Sequence, residues 1–303
     1  MKISILTPTF NRAVLLDKLY TSILINNNNS NCEVEWLIMD DGSTDNTKII
    51  VDTYIKENII NVQYYYQENS GKMSAINELV KRSTGDLILE CDSDDYLIPE
   101  AFKIIEESLI QCKDMSDIYA MVFLKYDQNG NNMGNDFPED NYKSSMFDLY
   151  FKEEVTGEKA LVFNSSIRKK FEYKLEDGEK FVTEARLHHE MDLHYNVKCF
   201  NKKIMICEYK EDGYSKNIDK IFLQNPKGYY EYFKEIFNQD MHGVTFKKRL
   251  YIYKHYILFS VLLKQKHIIK NIKGFTNKII VAILYLPGKI ATKRRFEQKI
   301  KNK

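Results

Sequence analysis

The chain has 303 residues, 44 Lys/Arg against 43 Asp/Glu for a net charge of +1, and a hydrophobic share of 44%. That is ordinary globular composition, long enough for one large or two modest domains, and it excludes fibrous and low-complexity classes. The five cysteines (32, 91, 112, 199 and 207) form no Cys-x-x-Cys pair, which argues against a thiolate metal ribbon and for reduced thiols in a cytoplasmic protein.

The expected elements alternate through the first 112 residues. Strand-like Lys2–Leu6 begins at once without a long apolar region, so no signal peptide is expected. Ile3–Leu6 reads as a buried strand, followed by a helix with Leu16, Leu19 and Ile23 on one face, and the Asn run 26–29 reads as a helix end and surface turn. Trp36–Met39 is a second apolar run, after which Ser43-Thr44-Asp45 offers an N-cap with an acid in the first turn. Val62–Tyr66 is rich in strand formers, and a helix led by Gly71 turns Ile76, Leu79 and Val80 inward. Leu87–Cys91 is the fourth strand, and a helix opened by Pro99 carries Phe102, Ile105 and Leu109. Strands alternating with helices predict a parallel sheet with helices on its faces.

After residue 113 the pattern becomes mixed. Ile118–Lys125, Ala160–Phe163 and Lys203–Tyr209 read as strands, Asp127–Asn141 as loop, and 184–196 as a helix. Beyond residue 216 the reading is mostly helical, with Phe246, Leu250, Tyr253, Ile257 and Val261 at helical spacing. Residues 246–303 hold 16 of the Lys/Arg and one acid, Glu297, leaving 28 bases and 42 acids in the first 245 residues. A basic segment beside an acidic body points to an anionic partner, membrane or nucleic acid. Its best apolar run, Ile279–Leu286, is too short to cross a bilayer.

Ligands of open parallel sheets sit beyond the carboxyl ends of the strands. Four polar clusters follow the four expected strands: Thr7-Pro8-Thr9-Phe10-Asn11-Arg12, Asp40-Asp41-Gly42-Ser43-Thr44-Asp45, Asn69-Ser70-Gly71-Lys72 and Asp92-Ser93-Asp94-Asp95. The sheet places all four on one edge. Clustered carboxylates repel one another, and oxygen-only ligands on a tight turn suit Mg²⁺ or Mn²⁺, whose shells phosphate and water complete. Each cluster has a plainer alternative: helix caps for Asp40, Asp41 and Asp95, surface charges for Arg12 and Lys72.

With these clusters in order, the chain resembles the family 2 glycosyltransferases with a GT-A fold, a Rossmann-like nucleotide-binding sheet with helices on both faces. The resemblance covers residues 1–215 as one domain, with 1–112 binding the nucleotide-sugar, 113–215 binding the acceptor, and 216–303 a basic helical extension. Thr156-Gly157-Glu158-Lys159-Ala160, Gly178-Glu179-Lys180-Phe181-Val182-Thr183-Glu184 and Tyr209-Lys210-Glu211-Asp212-Gly213-Tyr214-Ser215 resemble acceptor-side motifs of its bacterial polysaccharide-type members.

The resemblance implies a metal-dependent, inverting transfer from a nucleotide-sugar, a UDP-sugar foremost, to a hydroxyl of a glycan or lipid-linked acceptor. It implies that Pro8, Thr9, Asn11 and Arg12 hold base and diphosphate, that Asp40 accepts the uracil N–H, and that Lys72 offsets diphosphate charge. Asp92 and Ser93 lie against the donor, Asp94 with Asp92 holds Mn²⁺ or Mg²⁺, and Asp95 either shares that site or caps the next helix. Glu184 is the expected general base, with Glu179 and Asp177 nearby. Glu184, His188 and Asp192 are spaced to share a helix face, yet solvated or core histidines are the preferred reading of His188, His189 and His194.

The basic segment reads as a peripheral anchor to the inner face of an anionic membrane. Lys266, Lys270 and Lys273 lie on one expected helical face, and Lys293-Arg294-Arg295 form a second cluster. A solvated extension or an oligomer contact is the alternative, and nucleic acid is disfavoured because no recognition motif accompanies the charge. Other functional classes are an inactive membrane-associated scaffold and a sugar-phosphate nucleotidyltransferase. The latter needs a glycine- and arginine-rich loop, and Thr7–Arg12 has no glycine.

Overall fold

The computed structural model describes residues 1–208 and 218–300. The chain forms two compact units. The first comprises Met1–Tyr173 with the described residues from Glu190 to Glu208; the second comprises Lys174–His189 with those from Ile218 onward.

The first unit opens with β1 (Lys2–Thr9), α1 (Ala13–Asn28), β2 (Glu33–Asp40), α2 (Thr47–Glu57), β3 (Asn61–Tyr66), α3 (Lys72–Arg82) and β4 (Leu87–Glu90). It continues through β5 (Tyr96–Leu97), α4 (Ala101–Cys112), β6 (Ile118–Asp127), β7 (Tyr142–Ser144), α5 (Met146–Phe151), β8 (Lys159–Asn164), α6 (Ser165–Arg168) and, later in the chain, β9 (Asn196–Cys207). The sheet order is β3-β2-β1-β4-β8-β6-β9-β5, with β7 beside β9. β3, β2, β1 and β4 are mutually parallel; β8 runs antiparallel between β4 and β6. Ile3, Ile5, Leu6, Trp36, Leu37 and Ile38 are all buried, because helices cover both sheet faces. Tyr20, Trp36 and Tyr54 stack in this core, and the Trp36 indole N–H donates to the Thr7 hydroxyl at 2.9 Å.

Several boundaries differ from the sequence reading. α2 starts at Thr47, because the Asp45 carboxylate accepts the backbone N–H of both Thr47 and Ala13 and is spent joining two helix starts. β4 ends at Glu90, leaving Cys91 outside it, and α4 starts at Ala101, two residues beyond Pro99. The Asn run is not all surface. Asn26 is buried, its amide donates to Ile98 O at 2.7 Å and accepts from Phe102 N at 3.0 Å, and so it fixes the chain entering α4. The strand expected at Lys203–Tyr209 begins at Asn196 and ends at Cys207, before Glu208, and Tyr209 lies outside the described residues. At the expected loop 127–141, Gly134 and Gly157 approach so closely that a Cβ on either would lie about 2 Å from the other segment's carbonyl oxygen (2.0 and 1.9 Å), and both adopt positive φ.

The second unit contains the start of α7 (Glu184–Met191), then α8 (Ile218–Gln224), α9 (Pro226–Glu235), α10 (Phe246–Leu262) and α11 (Phe275–Ile300). Segment 174–189 belongs with these helices, so the division does not fall at residue 215 alone. Three tethers explain it. Glu179 accepts the N–H groups of Lys227 (2.6 Å) and Gly228 (2.8 Å) at the start of α9, and Asn225 accepts those of Lys180 and Phe181. Arg186 makes a bidentate pair with Glu235 at 3.0 and 2.9 Å. Phe222, Tyr229, Phe233 and Phe259 form its aromatic core. Phe246 starts α10 exposed instead of packing inward, and Lys266, Lys270 and Lys273 lie in the connection between α10 and α11 instead of on a helix.

Candidate active site

The parallel ladder runs past the strand ends. Asp41 N donates to Thr9 O at 2.8 Å, Gln67 N to Asp40 O at 2.9 Å, and Cys91 N to Leu6 O at 3.0 Å. The four polar clusters are thereby aligned along one edge. Pro8 and Thr9 close β1, and the buried Thr9 hydroxyl has no hydrogen-bond partner among the described residues. Asn11 takes φ +52°, and its side-chain oxygen accepts Thr44 N at 2.8 Å while its own N–H donates to Ser43 Oγ at 2.8 Å. Asn11 therefore ties the first loop to the second. Arg12, half-buried, is the residue before α1.

Asp40 and Asp41 are both buried and do different work. Asp40 Oδ1 accepts Ser43 N at 2.7 Å and its Oδ2 accepts the Tyr64 hydroxyl at 2.8 Å. Burial, and then this bond, push the Tyr64 hydroxyl far above the usual tyrosine range. Asp41 reaches across to the third loop: Oδ1 accepts Gln67 Nε2 and Ser70 N, both at 2.7 Å, and Oδ2 accepts Gly71 N at 2.9 Å. That carboxylate holds the start of α3, the helix that presents Lys72. The plainer alternative for Asp41, a cap of the second helix, does not hold: its carboxylate holds the start of the third, a contact of separation 30 that spacing does not reveal.

Lys72 Nζ lies 2.7 Å from Asp92 Oδ2. Ser93 is buried and Asp94 half-buried in the turn that follows β4. Burial, and then the charges of Asp92 and Asp95, push the Asp94 carboxyl up to about 6. Asp95 turns inward: its N–H closes the turn on Asp92 O, and its Oδ2 meets Lys125 Nζ at 2.9 Å and the Cys207 thiol at 3.3 Å. Burial acts against the Lys125 charge, yet Asp95 foremost among its neighbours raises its pKa well above that of an ordinary lysine. Asp95 is thus engaged in an internal ion pair, and α4 is not where its carboxylate goes. Lys125 follows the apolar run Ile118–Leu124 in β6, which was the one trace of this pair in the sequence.

Asp94 with Asp92 is the carboxylate pair of this edge that could hold a divalent cation. The donor set is hard oxygen, and a cation would offset the burial and the neighbouring charges that raise the Asp94 carboxyl, so the residues fit Mn²⁺ or Mg²⁺ with phosphate completing the shell. Among the described residues no group of three or more His, Cys, Asp or Glu is arranged to hold a metal by itself.

Thr156–Ala160 borders the internal pair, with Glu158 Oε2 4.0 Å from Lys125 Nζ and 3.7 Å from Cys207 Sγ. Lys159 is enclosed by the carbonyls of Thr156 (2.7 Å) and Asn135 (3.1 Å), and burial lowers its ammonium to about 8.

In the second unit Glu184 is the first residue of α7. Glu179 is committed to α9, and burial raises its carboxyl. His188 and His189 are buried, and burial, then His188, keeps His189 neutral down to about 3. The helix ends at Met191, so Asp192 does not continue the Glu184–His188 face. In the first unit it accepts Met146 N, Phe147 N and the Tyr119 hydroxyl. The motif 209–215 lies outside the described residues.

A parallel nucleotide-type sheet extended by an antiparallel segment, with an acidic turn after its fourth strand, is the GT-A architecture of glycosyltransferases. Residues 4–171, more than half of the chain, match the model of Glycosyl transferase family 2, and the chain belongs to that family. An uncharacterized glycosyltransferase of Mycoplasma pneumoniae is 27% identical over 232 residues, 69% of this chain and 77% of that protein. The GalNAc(5)-diNAcBac-PP-undecaprenol beta-1,3-glucosyltransferase of Campylobacter jejuni is 30% identical over 124 residues, 40% of this chain and 37% of that protein. Among solved structures, S. aureus TarS 1-349 in complex with UDP-GlcNAc is similar with a TM-score of 0.65 at 16% identity, covering 100% of this chain and 92% of that one. The mannosyltransferase PcManGT of Pyrobaculum calidifontis, in complex with GDP-Man and Mn²⁺, gives 0.54 at 14% identity, covering 96% and 83%. The protein is a family 2 glycosyltransferase with the GT-A fold.

Proposed function

We propose that this glycosyltransferase moves a sugar, with inversion, from a UDP-sugar to a hydroxyl of a glycan or lipid-linked acceptor in surface polysaccharide synthesis. The observation that carries the reading is the acidic turn. Asp95 is withdrawn into a pair with Lys125, while Asp92 and Asp94 remain beside Lys72 on the edge that also holds Asp40. The buried Thr9 hydroxyl supports a donor on the same edge, since an unpaired buried hydroxyl is costly unless a ligand satisfies it.

In this reading Asp40 accepts the uracil N–H, and Pro8, Thr9, Asn11 and Arg12 frame base and diphosphate. Lys72 and the amino end of α3 oppose the diphosphate charge, and Ser93 lines the turn. Asp94 and Asp92 would hold a divalent cation, which when bound would neutralise charge developing on the leaving nucleoside diphosphate. Glu184 takes the proton of the attacking acceptor hydroxyl. The TarS complex with UDP-GlcNAc favours uridine, the PcManGT complex with GDP-Man and Mn²⁺ favours the cation, and the name of the Campylobacter relative favours a lipid-diphosphate-linked glycan.

The test is a screen of UDP-, GDP- and dTDP-sugars with Mn²⁺, read by thermal shift and donor hydrolysis. A UDP-sugar should stabilise the protein, and Asp94→Asn should lower Mn²⁺-dependent turnover about a hundredfold or more. Glu184→Gln should keep donor binding and lose transfer about 10²- to 10⁴-fold. Unchanged turnover in Asp94→Asn overturns the cation site, and no binding of any nucleotide favours the scaffold.

A further inference from the structure

α11 has two faces. Val281, Thr292 and Phe296 are buried, Asn277 accepts the Tyr253 hydroxyl at 2.8 Å, and Gly288 lies where a Cβ would meet Ile257 of α10 at 2.7 Å. On the other face Phe275 (80%), Ile283 (69%) and Leu286 (65%) are exposed, with Ile279 and Ile290 beside them. At 3.6 residues per turn these five side chains fall within about 80° of arc and extend about 22 Å along the axis. Lys278 and Lys289 border the stripe on one side, Arg294 borders the other, and Lys293 lies in line with it. No acidic residue occurs between Phe275 and Phe296.

A continuous exposed apolar stripe marks an interaction surface. No helix among the described residues is long and apolar enough to cross a membrane, so α11 does not span one as the structure stands. Packing against a second copy would bring its own lysines and arginines together without an acid to offset them. Anionic lipid headgroups supply the missing charge, and the acyl boundary accepts the stripe. We infer that α11 docks in the plane of an anionic membrane surface, with Phe275, Ile279, Ile283, Leu286 and Ile290 inserted and Lys278, Lys289, Lys293 and Arg294 at the headgroups. Lys266, Lys270 and Lys273 in the preceding connection add to the attraction. The inference is independent of the donor and acceptor proposed above.

The test is co-sedimentation of the 303-residue chain with phosphatidylcholine vesicles, with and without about one-third phosphatidylglycerol. Binding should be about tenfold or more stronger on the anionic vesicles and weaken as salt rises. The double variant Ile283→Glu/Leu286→Glu should lower it about tenfold or more, with thermal unfolding and donor hydrolysis unchanged. Both residues are exposed, so the fold does not depend on them. Equal or absent binding to the two vesicle types, or wild-type binding by the variant, overturns the inference. A dimer in sedimentation velocity that the same variant dissolves would assign the stripe to a second copy and overturn it as well.

Discussion

Replacing Asp41 by Asn removes one oxygen and changes little else. In the native protein the two carboxylate oxygens accept three donors, Gln67 Nε2, Ser70 N and Gly71 N, at 2.7 to 2.9 Å in a buried position. An amide keeps one acceptor and points an NH₂ group at a donor. If its oxygen stays with Gln67 and Ser70, Gly71 N loses its partner immediately before α3. Losing one hydrogen bond to a charged group and leaving a buried donor unpaired amounts to about 2–4 kcal/mol. The assay is urea unfolding of Asp41→Asn beside wild type, with the slope checked so that the midpoint reports stability. Nucleotide binding should weaken in parallel, because Lys72 follows Gly71 directly. A stability loss below about 0.5 kcal/mol would refute the view that this carboxylate holds the third loop.

Two other outcomes follow from the buried groups. Lys125→Met should cost about 3–5 kcal/mol by stranding Asp95, and adding Asp95→Asn should recover much of that loss in the same unfolding assay; no recovery means that the cost is packing and not charge. The Asp192 carboxyl is pushed up to about 7, by burial first, despite its bonds from Met146, Phe147 and Tyr119. Between its unfolded value of about 4 and that folded value the native state keeps a proton the unfolded chain has lost, so stability falls as pH rises through the window and the full penalty is present above it. Asp192→Asn should flatten the dependence of the urea midpoint between about pH 4 and pH 7, and an unchanged slope would assign it to other groups.

The sequence was legible wherever burial is two-sided or chemistry is local. Ile3–Leu6, Trp36–Met39 and all but the last residue of Leu87–Cys91 read correctly as strands because a sheet covered on both faces needs largely apolar runs. Gly71 read correctly as the start of α3. Elements held by distant partners were not legible. β5 is two residues long and exists through its pairing with Met205 and Ile206, and β9 begins seven residues before the run that announced it. Asn26 looked like a surface turn because its partners, Ile98 and Phe102, are 72 and 76 residues away. The expected helix continuity through Lys266–Lys273 failed because lysines at helical spacing do not by themselves supply a buried face.

The amino-acid sequence by itself determined that four polar clusters follow four strands, and hence that they share one edge, since parallel strands joined by crossovers all end on the same side. It could not determine which acids of those clusters remain at the edge. That was decided by tertiary contacts: Lys125, 30 residues beyond Asp95, draws that carboxylate inward, and Gly71, 30 residues beyond Asp41, takes that one for a helix start. Adjacent aspartates are chemically alike in the chain. Their surroundings divide them, because a buried charge must find its partner wherever the fold has placed one.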